Sequence, residues 1–335
     1  MYNNNKKLIT LLVSSFFGLF SAHLYAATFE NSNISFFLAT DHYIALHEIA
    51  LGYTELYRFN NGQFSKPKVI ESAVDQLNRI KRSTFTFWSK GKTSVVPDYL
   101  TRCNKSLKCV KQTTNNYDTE FLPYAVTVNN KGNQYVYLMP KDGIFGSDAA
   151  LVSYNSKTHT RIVLHQFTNI AGGTNGNYVA ADAKQNIIWV MGLDHNLRST
   201  HVYECDFNGD CLLKKTFLKT QVYGLALSQD GKIGYFITGA PVILQKSKEL
   251  PTLYKFDEGF TITKLKILNI GSPGQPIATN HTGSRVVYAD YSPARKADIL
   301  NNCDSSLKAC SVINLAKVTQ YGQHMQAISS VKTLD

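Results

Sequence analysis

Four aspartates stand just after short apolar runs in this chain: Asp41, Asp142, Asp194 and Asp290. Two are followed directly by histidine, giving Asp41-His42 and Asp194-His195, and His47-Glu48 comes a few residues on. Carboxylates that converge on one point suit Ca2+, and added imidazoles suit Zn2+ or another transition metal. If Asp41, His42, Asp194, His195 and Asp290 meet at one place, metal-assisted hydrolysis is the chemistry open to them. Aspartate also ends strands for a simpler reason, because its side chain favours turns. A second set is cationic: Lys141, Arg198, Lys246, Arg295 and Lys296, accompanied by Lys90, Lys92 and Lys248. The formal net charge is +11, so the expected partner is anionic: an acidic glycan, a lipid headgroup or an acidic protein. Nucleic acid is not expected, since no recognised reading module is present. His281 beside a turn and His159 at a hairpin tip read as exposed, and His324 as a lone histidine.

Other catalytic signatures are missing. The chain has no Gly-x-Ser-x-Gly elbow, no His-Glu-x-x-His and no phosphate-binding glycine loop. Gly172-Gly173-Thr-Asn-Gly176 is glycine-rich but reads as a connector.

The six cysteines fall into three close pairs, Cys103/Cys109, Cys205/Cys211 and Cys303/Cys310. Metal-binding pairs sit closer together and reinforce one another, whereas these pairs lie far apart along the chain. Disulfides are the expected state, each stabilising by roughly 2–2.5 kcal/mol on chain-entropy grounds. They also imply an oxidising compartment. The N-terminus agrees. Lys6 and Lys7 precede an apolar run from Leu8 to Ala22, with a small-residue exit at Ala26-Ala27. Residues 1–26 therefore read as a signal peptide without a lipoprotein cysteine, and residues 27–335 as one domain, periplasmic or secreted. No later apolar run is long enough to span a membrane.

The elements that must position these groups are strands. Short β-branched and aromatic runs dominate, among them Tyr135–Leu138, Ile187–Val190, Gly234–Ile237 and Val286–Ala289. The one helical candidate is Glu71–Lys81. The four runs recur with their surroundings, each as strand, polar turn, strand. Gly132, Gly231 and Gly283 mark three turns and Gln185 takes the equivalent place in the fourth, at separations of 53, 46 and 52 residues. A second hairpin follows each first one, with tips near residues 61, 106, 156, 208, 258 and 307, and all three cysteine pairs fall on this second hairpin. Two hairpins per unit of ~50 residues give a four-stranded blade, and a series of blades gives an all-β propeller. Six blades fit the length, and seven would follow if 71–98 hides extra strands. Ile34–Ala39 has no preceding partner, while Gly322–Val331 is left over at the C-terminus. Pairing the two ends would close the ring and remove exposed sheet edges.

The hairpins at 123–138 and 223–237, with segments such as Leu225-Ala-Leu-Ser-Gln-Asp-Gly-Lys232, resemble YVTN-type and NHL-like propeller repeats. The resemblance implies a propeller and carries no catalytic residue over. Relatives include lactone hydrolases, binding modules and surface proteins. On a propeller, the connections from second to third strand gather on one rim: 39–54, 88–98, 139–149, 191–201, 238–252 and 289–298. Binding through that rim, without catalysis, is the leading expectation. A lactonase-type, metal-assisted hydrolase at the channel mouth is the alternative, and a purely structural envelope role is a third.

Overall fold

The computed structural model describes residues 34–314, apart from positions 105, 107, 130, 132 and 195 and the stretches 40–42, 49–52, 61–62, 65–67, 71–73, 82–83, 90–98, 114–123, 142–147, 171–176, 242–249, 270–276 and 295–296. Among these residues the chain is all-β, with six antiparallel sheets in chain order. Sheet one holds β1 (Ile34–Ala39), β2 (Tyr43–Glu48), β3 (Tyr53–Asn60) and β4 (Gln63–Phe64), with β5 (Lys68–Ile70) also on β3. Sheet two is β6 (Val74–Lys81), β7 (Thr84–Ser89), β8 (Tyr99–Asn104) and β9 (Cys109–Thr113). Sheet three is β10 (Tyr124–Val128), β11 (Gln134–Pro140), β12 (Ala149–Asn155) and β13 (Thr160–Phe167). Sheet four is β14 (Tyr178–Ala181), β15 (Ile188–Asp194), β16 (Ser199–Cys205) and β17 (Cys211–Phe217). Sheet five is β18 (Gln221–Leu227), β19 (Ile233–Gly239), β20 (Thr252–Asp257) and β21 (Ile262–Ile267). Sheet six is β22 (Ile277–Thr279), β23 (Arg285–Ser292), β24 (Ala297–Asp304) and β25 (Cys310–Asn314). The first strands β6, β10, β14, β18 and β22 touch in that order, so successive sheets pack face to face around one side.

In sheets three to six burial falls toward the outermost strand. Every residue of β15 is buried, whereas β17 is mostly exposed or half-buried. A strand covered on both faces has no reason to alternate, which is why the second strands read as unbroken apolar runs. Between sheets four and five, Trp189 lies edge-on to Phe256 at 5.2 Å and stacks on Phe260 at 4.9 Å. The ring of Phe256 rests on the backbone of Gly234, where a Cβ would come within 2.0 Å of it. Tyr235, Leu253, Val286 and Tyr288 fill the seam between sheets five and six. The outer strands β13, β17 and β21 leave an unpaired edge, and each pairs inward through an irregular register at matching places, Leu151/Val152, Val202/Tyr203 and Leu253/Tyr254. Bulges and lysines discourage edge-to-edge pairing.

Two sequence expectations change here. Glu71–Lys81 is not helical: β6 runs through it and pairs with Trp88 and Phe87 through Gln76 and Leu77. Its polar spacing imitates a helix, but the cross-strand partners lie in β7, where local periodicity cannot see them. Together β6 and β7 form the first hairpin of sheet two rather than an additional blade. Second, 39–54 is not one long connection, because β2 occupies its middle and joins β1 to β3. Sheet one thereby draws its strands in order from residues 34–70. Gly322–Val331, the segment expected to close the ring, lies outside the described residues, as do residues 1–33.

Each sheet has two unlike ends. At the turn end lie the first-to-second and third-to-fourth hairpin turns. Gly231 and Gly283 adopt φ of 77° and 69°, and Gln185, which the repeat pattern sets in the same place, adopts 63°. Adjacent turns are tied together: Ala183 N–H donates to the Gln229 carbonyl at 2.8 Å, and Gln229 N–H to the His281 carbonyl at 3.0 Å. The outer tips share a further device that the sequence reading missed. Asn104, Asn155, Asp257 and Asp304 each end a third strand and Asp206 directly follows one, and all five accept a backbone N–H from the turn. Three of these tips are also cross-linked, Cys103–Cys109, Cys205–Cys211 and Cys303–Cys310, between directly opposed residues.

Candidate functional site

The connection end carries the second-to-third and sheet-to-sheet connections, and the predicted site residues that the structure describes lie here. Asp194 closes β15 and is only 4% exposed. Its Oδ1 accepts the N–H groups of Asn196 at 2.8 Å and Leu197 at 2.9 Å, the usual turn-holding use of aspartate. Its Oδ2 lies 3.4 Å from His201 Nε2, and His201 Nδ1 lies 3.2 Å from Thr216 Oγ1. Asp290, in β23, is 1% exposed and pairs with Lys266 Nζ at 2.8 Å. It also accepts N–H from Asn269 at 2.7 Å and Tyr291 at 2.9 Å. Burial opposes the charge on Lys266, but the hydrogen bond to Asp290 and the neighbouring charges outweigh it, so its pKa lies above the ordinary lysine value. Both carboxylates are thus engaged by their own surroundings. Ile170 bridges to Asp194, and Asn269 binds Asp290, so each also holds a connection arriving from the preceding sheet.

The other predicted ligands are not brought to this place by the described residues. Asp41, His42, Asp142 and His195 lie outside them. Among the described residues, no three His, Cys, Asp or Glu side chains are placed to hold a metal ion.

Of the cationic set, Lys141 and Arg198 are described and exposed, while Lys246, Arg295 and Lys296 lie outside the described residues. Two connections are shorter than the sequence suggested. The one from β15 to β16 spans 195–198 and the one from β23 to β24 spans 293–296, because the strands run on through Asp194 and Ser292. The histidines read as exposed both have partners: His159 Nδ1 lies 3.1 Å from Tyr154 Oη, and His281 Nδ1 lies 2.9 Å from Gln229 Oε1.

Sequence reasoning also missed three leucines at this end. Leu197, Leu218 and Leu250 are 60%, 71% and 61% exposed, where apolar residues beside strands usually enter the core. In each case the hydroxyl two residues later, on Ser199, Thr220 or Thr252, donates to the leucine carbonyl. The signal was available as Leu-x-Ser/Thr at three strand entries.

No family model matches the chain, and no curated relative does. Among solved structures it is similar to the GH74 enzyme of Niastella koreensis, with a TM-score of 0.54 at 11% identity over 83% of this chain and 45% of that one. The chain therefore spans less than half the length of that enzyme. It is also similar to a nidogen/laminin complex structure, with a TM-score of 0.54 at 10% identity over 88% of this chain and 96% of that one. The β-propeller domain of the trilobed protease from Pyrococcus furiosus aligns with a TM-score of 0.49 at 10% identity, over 85% and 84% of the two chains. At such identities the likeness concerns the fold alone. Three disulfides fit an oxidising, exported setting, and no helix among the described residues is long and apolar enough to cross a membrane. With its repeated four-stranded antiparallel sheets packed in series, the chain has a propeller-like repeat fold.

Proposed function

We propose that the protein is an exported six-bladed propeller that binds an anionic partner through its connection end, without catalysing a reaction. The observation that carries this reading is an asymmetry of charge. Asp194 and Asp290 are buried and held by local hydrogen bonds, while Lys141 and Arg198 remain exposed. Where the carboxylates of Asp194 and Asp290 are withdrawn and Lys141 and Arg198 face solvent, the surface favours an acidic glycan, a lipid headgroup or an acidic protein. The net charge of +11 extends that attraction. Association through exposed cations is screened by salt.

Retention on an immobilised acidic polysaccharide, compared with a neutral one across a salt series, tests the reading. Retention on the acidic matrix alone, reversed by salt and reduced by K141Q/R198Q, is expected. Equal passage through both matrices would overturn it.

A further inference from the structure

We infer that the connection end of sheets four and five docks on the surface of an anionic lipid bilayer, with Leu197, Leu218 and Leu250 entering the interface. This rests on the anionic-partner reading and names the partner. Leu197 and Leu218 stand on neighbouring connections. Lys219 N–H donates to Ser199 Oγ at 3.3 Å, and Thr200 Oγ1 donates to the Thr220 carbonyl at 2.9 Å, so the β15–β16 turn and the β17–β18 connection are tied together. Each of these two leucines is followed by a cation, Arg198 or Lys219, and both cations are exposed at φ of 51°. Leu250 enters β20 at the same end, one sheet along.

Three features distinguish this from scattered surface leucine. The side chains are 60–71% exposed, although an apolar core lies a few residues away. Each backbone is pinned by the same hydroxyl-to-carbonyl bond, so exposure is built into the connection rather than left to a loose loop. The cations beside Leu197 and Leu218 match an anionic headgroup layer, while Asp194, the carboxylate of the first of these turns, is buried. Apolar side chains that enter the boundary of headgroups and acyl chains, with Lys and Arg among the phosphates, form the usual interfacial pairing. A soluble acidic glycan would reward the cations and leave the leucines without a partner.

Sedimentation of the full mature protein with vesicles tests this, using phosphatidylglycerol mixed with phosphatidylcholine against phosphatidylcholine alone. Binding to the anionic vesicles is expected, weakened roughly tenfold or more by L197S/L218S/L250S, which removes apolar area and keeps every charge. R198Q/K219Q should also weaken it and reduce its salt dependence. An unchanged melting temperature in both variants keeps a folding defect from imitating the result. If the leucine variant binds vesicles as well as the native protein does, the docking mode is wrong. If the native protein binds an acidic polysaccharide but no vesicle, the lipid inference falls and the anionic-partner reading stands; if it binds neither, both fall.

Discussion

The two ends of the sheets solve opposite problems. At the turn end many of the polar side chains serve the fold. Aspartates and asparagines cap the outer tips, adjacent turns share backbone hydrogen bonds, and three tips carry a disulfide. At the connection end Asp194 and Asp290 are also committed, but Arg198, Lys219 and three leucines are held out in solvent by backbone bonds that do not need their side chains. Side chains that the fold does not use are free to be used by a partner. The disulfides reinforce tips that already have a local cap: in sheets three and five Asn155 and Asp257 hold equivalent tips without sulfur. The cross-link therefore adds stability to a turn that forms anyway, rather than creating it.

The largest effect expected from breaking this division is at the turn end. Replacing Cys205 and Cys211 by alanine should lower the unfolding free energy by about 2 kcal/mol, seen as a lower urea midpoint. The slope of the transition and the strand signature should persist, because Asp206 still caps the tip. At the connection end, the buried Asp290 with its Lys266 partner is the sensitive point. Lys266→Met should cost about 1–2 kcal/mol, a figure discounted because the lysine is partly exposed. Asp290→Asn combined with it should recover part of that loss, since the stranded charge is then gone.

Acid should separate the ends further. Backbone hydrogen bonds hold the carboxyls of Asp206, Asp257 and Asp304 below the ordinary value of 3.8. A depressed folded pKa contributes stability that is present above the unfolded value and lost as pH falls through the folded one. Melting temperature should therefore be insensitive to these groups from neutrality down to about pH 5 and should fall below about pH 4. D206N/D257N/D304N, which keeps an acceptor in each turn, should flatten that decline. An unchanged acid slope would mean that these caps carry no linkage. The smallest effect on stability belongs to the exposed leucines, where L197S/L218S should stay within about 0.5 kcal/mol of the native protein by chemical denaturation.

The turn end was the more legible in the sequence. A hairpin places cysteines six or seven positions apart on opposed arms, and Gln185 could be assigned to a left-handed turn position because its repeat partners are Gly231 and Gly283. Tyr43–Glu48 and Val74–Lys81 were not legible as strands. Their partners, β1 with β3 and β7, lie along the chain in segments without the repeat's turn signature. The aspartates of the connection end were legible by type, but their surroundings were not. What occupies Asp194 and Asp290 is a turn N–H, His201, Lys266 and Asn269, and the last three reach them across strands or sheets. The leucines were passed over because apolar residues at a strand entry read as core until their exposure is seen.

The central claim is that the connection end, not positive charge as such, engages the anionic partner. Its most direct measurement is the salt concentration needed to release the protein from an acidic polysaccharide, compared between K141Q/R198Q and K131Q/K184Q/K232Q. The second variant removes more charge, but from exposed positions at the turn end. The account predicts that the connection-end variant elutes at clearly lower salt and that the turn-end variant stays close to the native protein. A larger loss in the turn-end variant would contradict it.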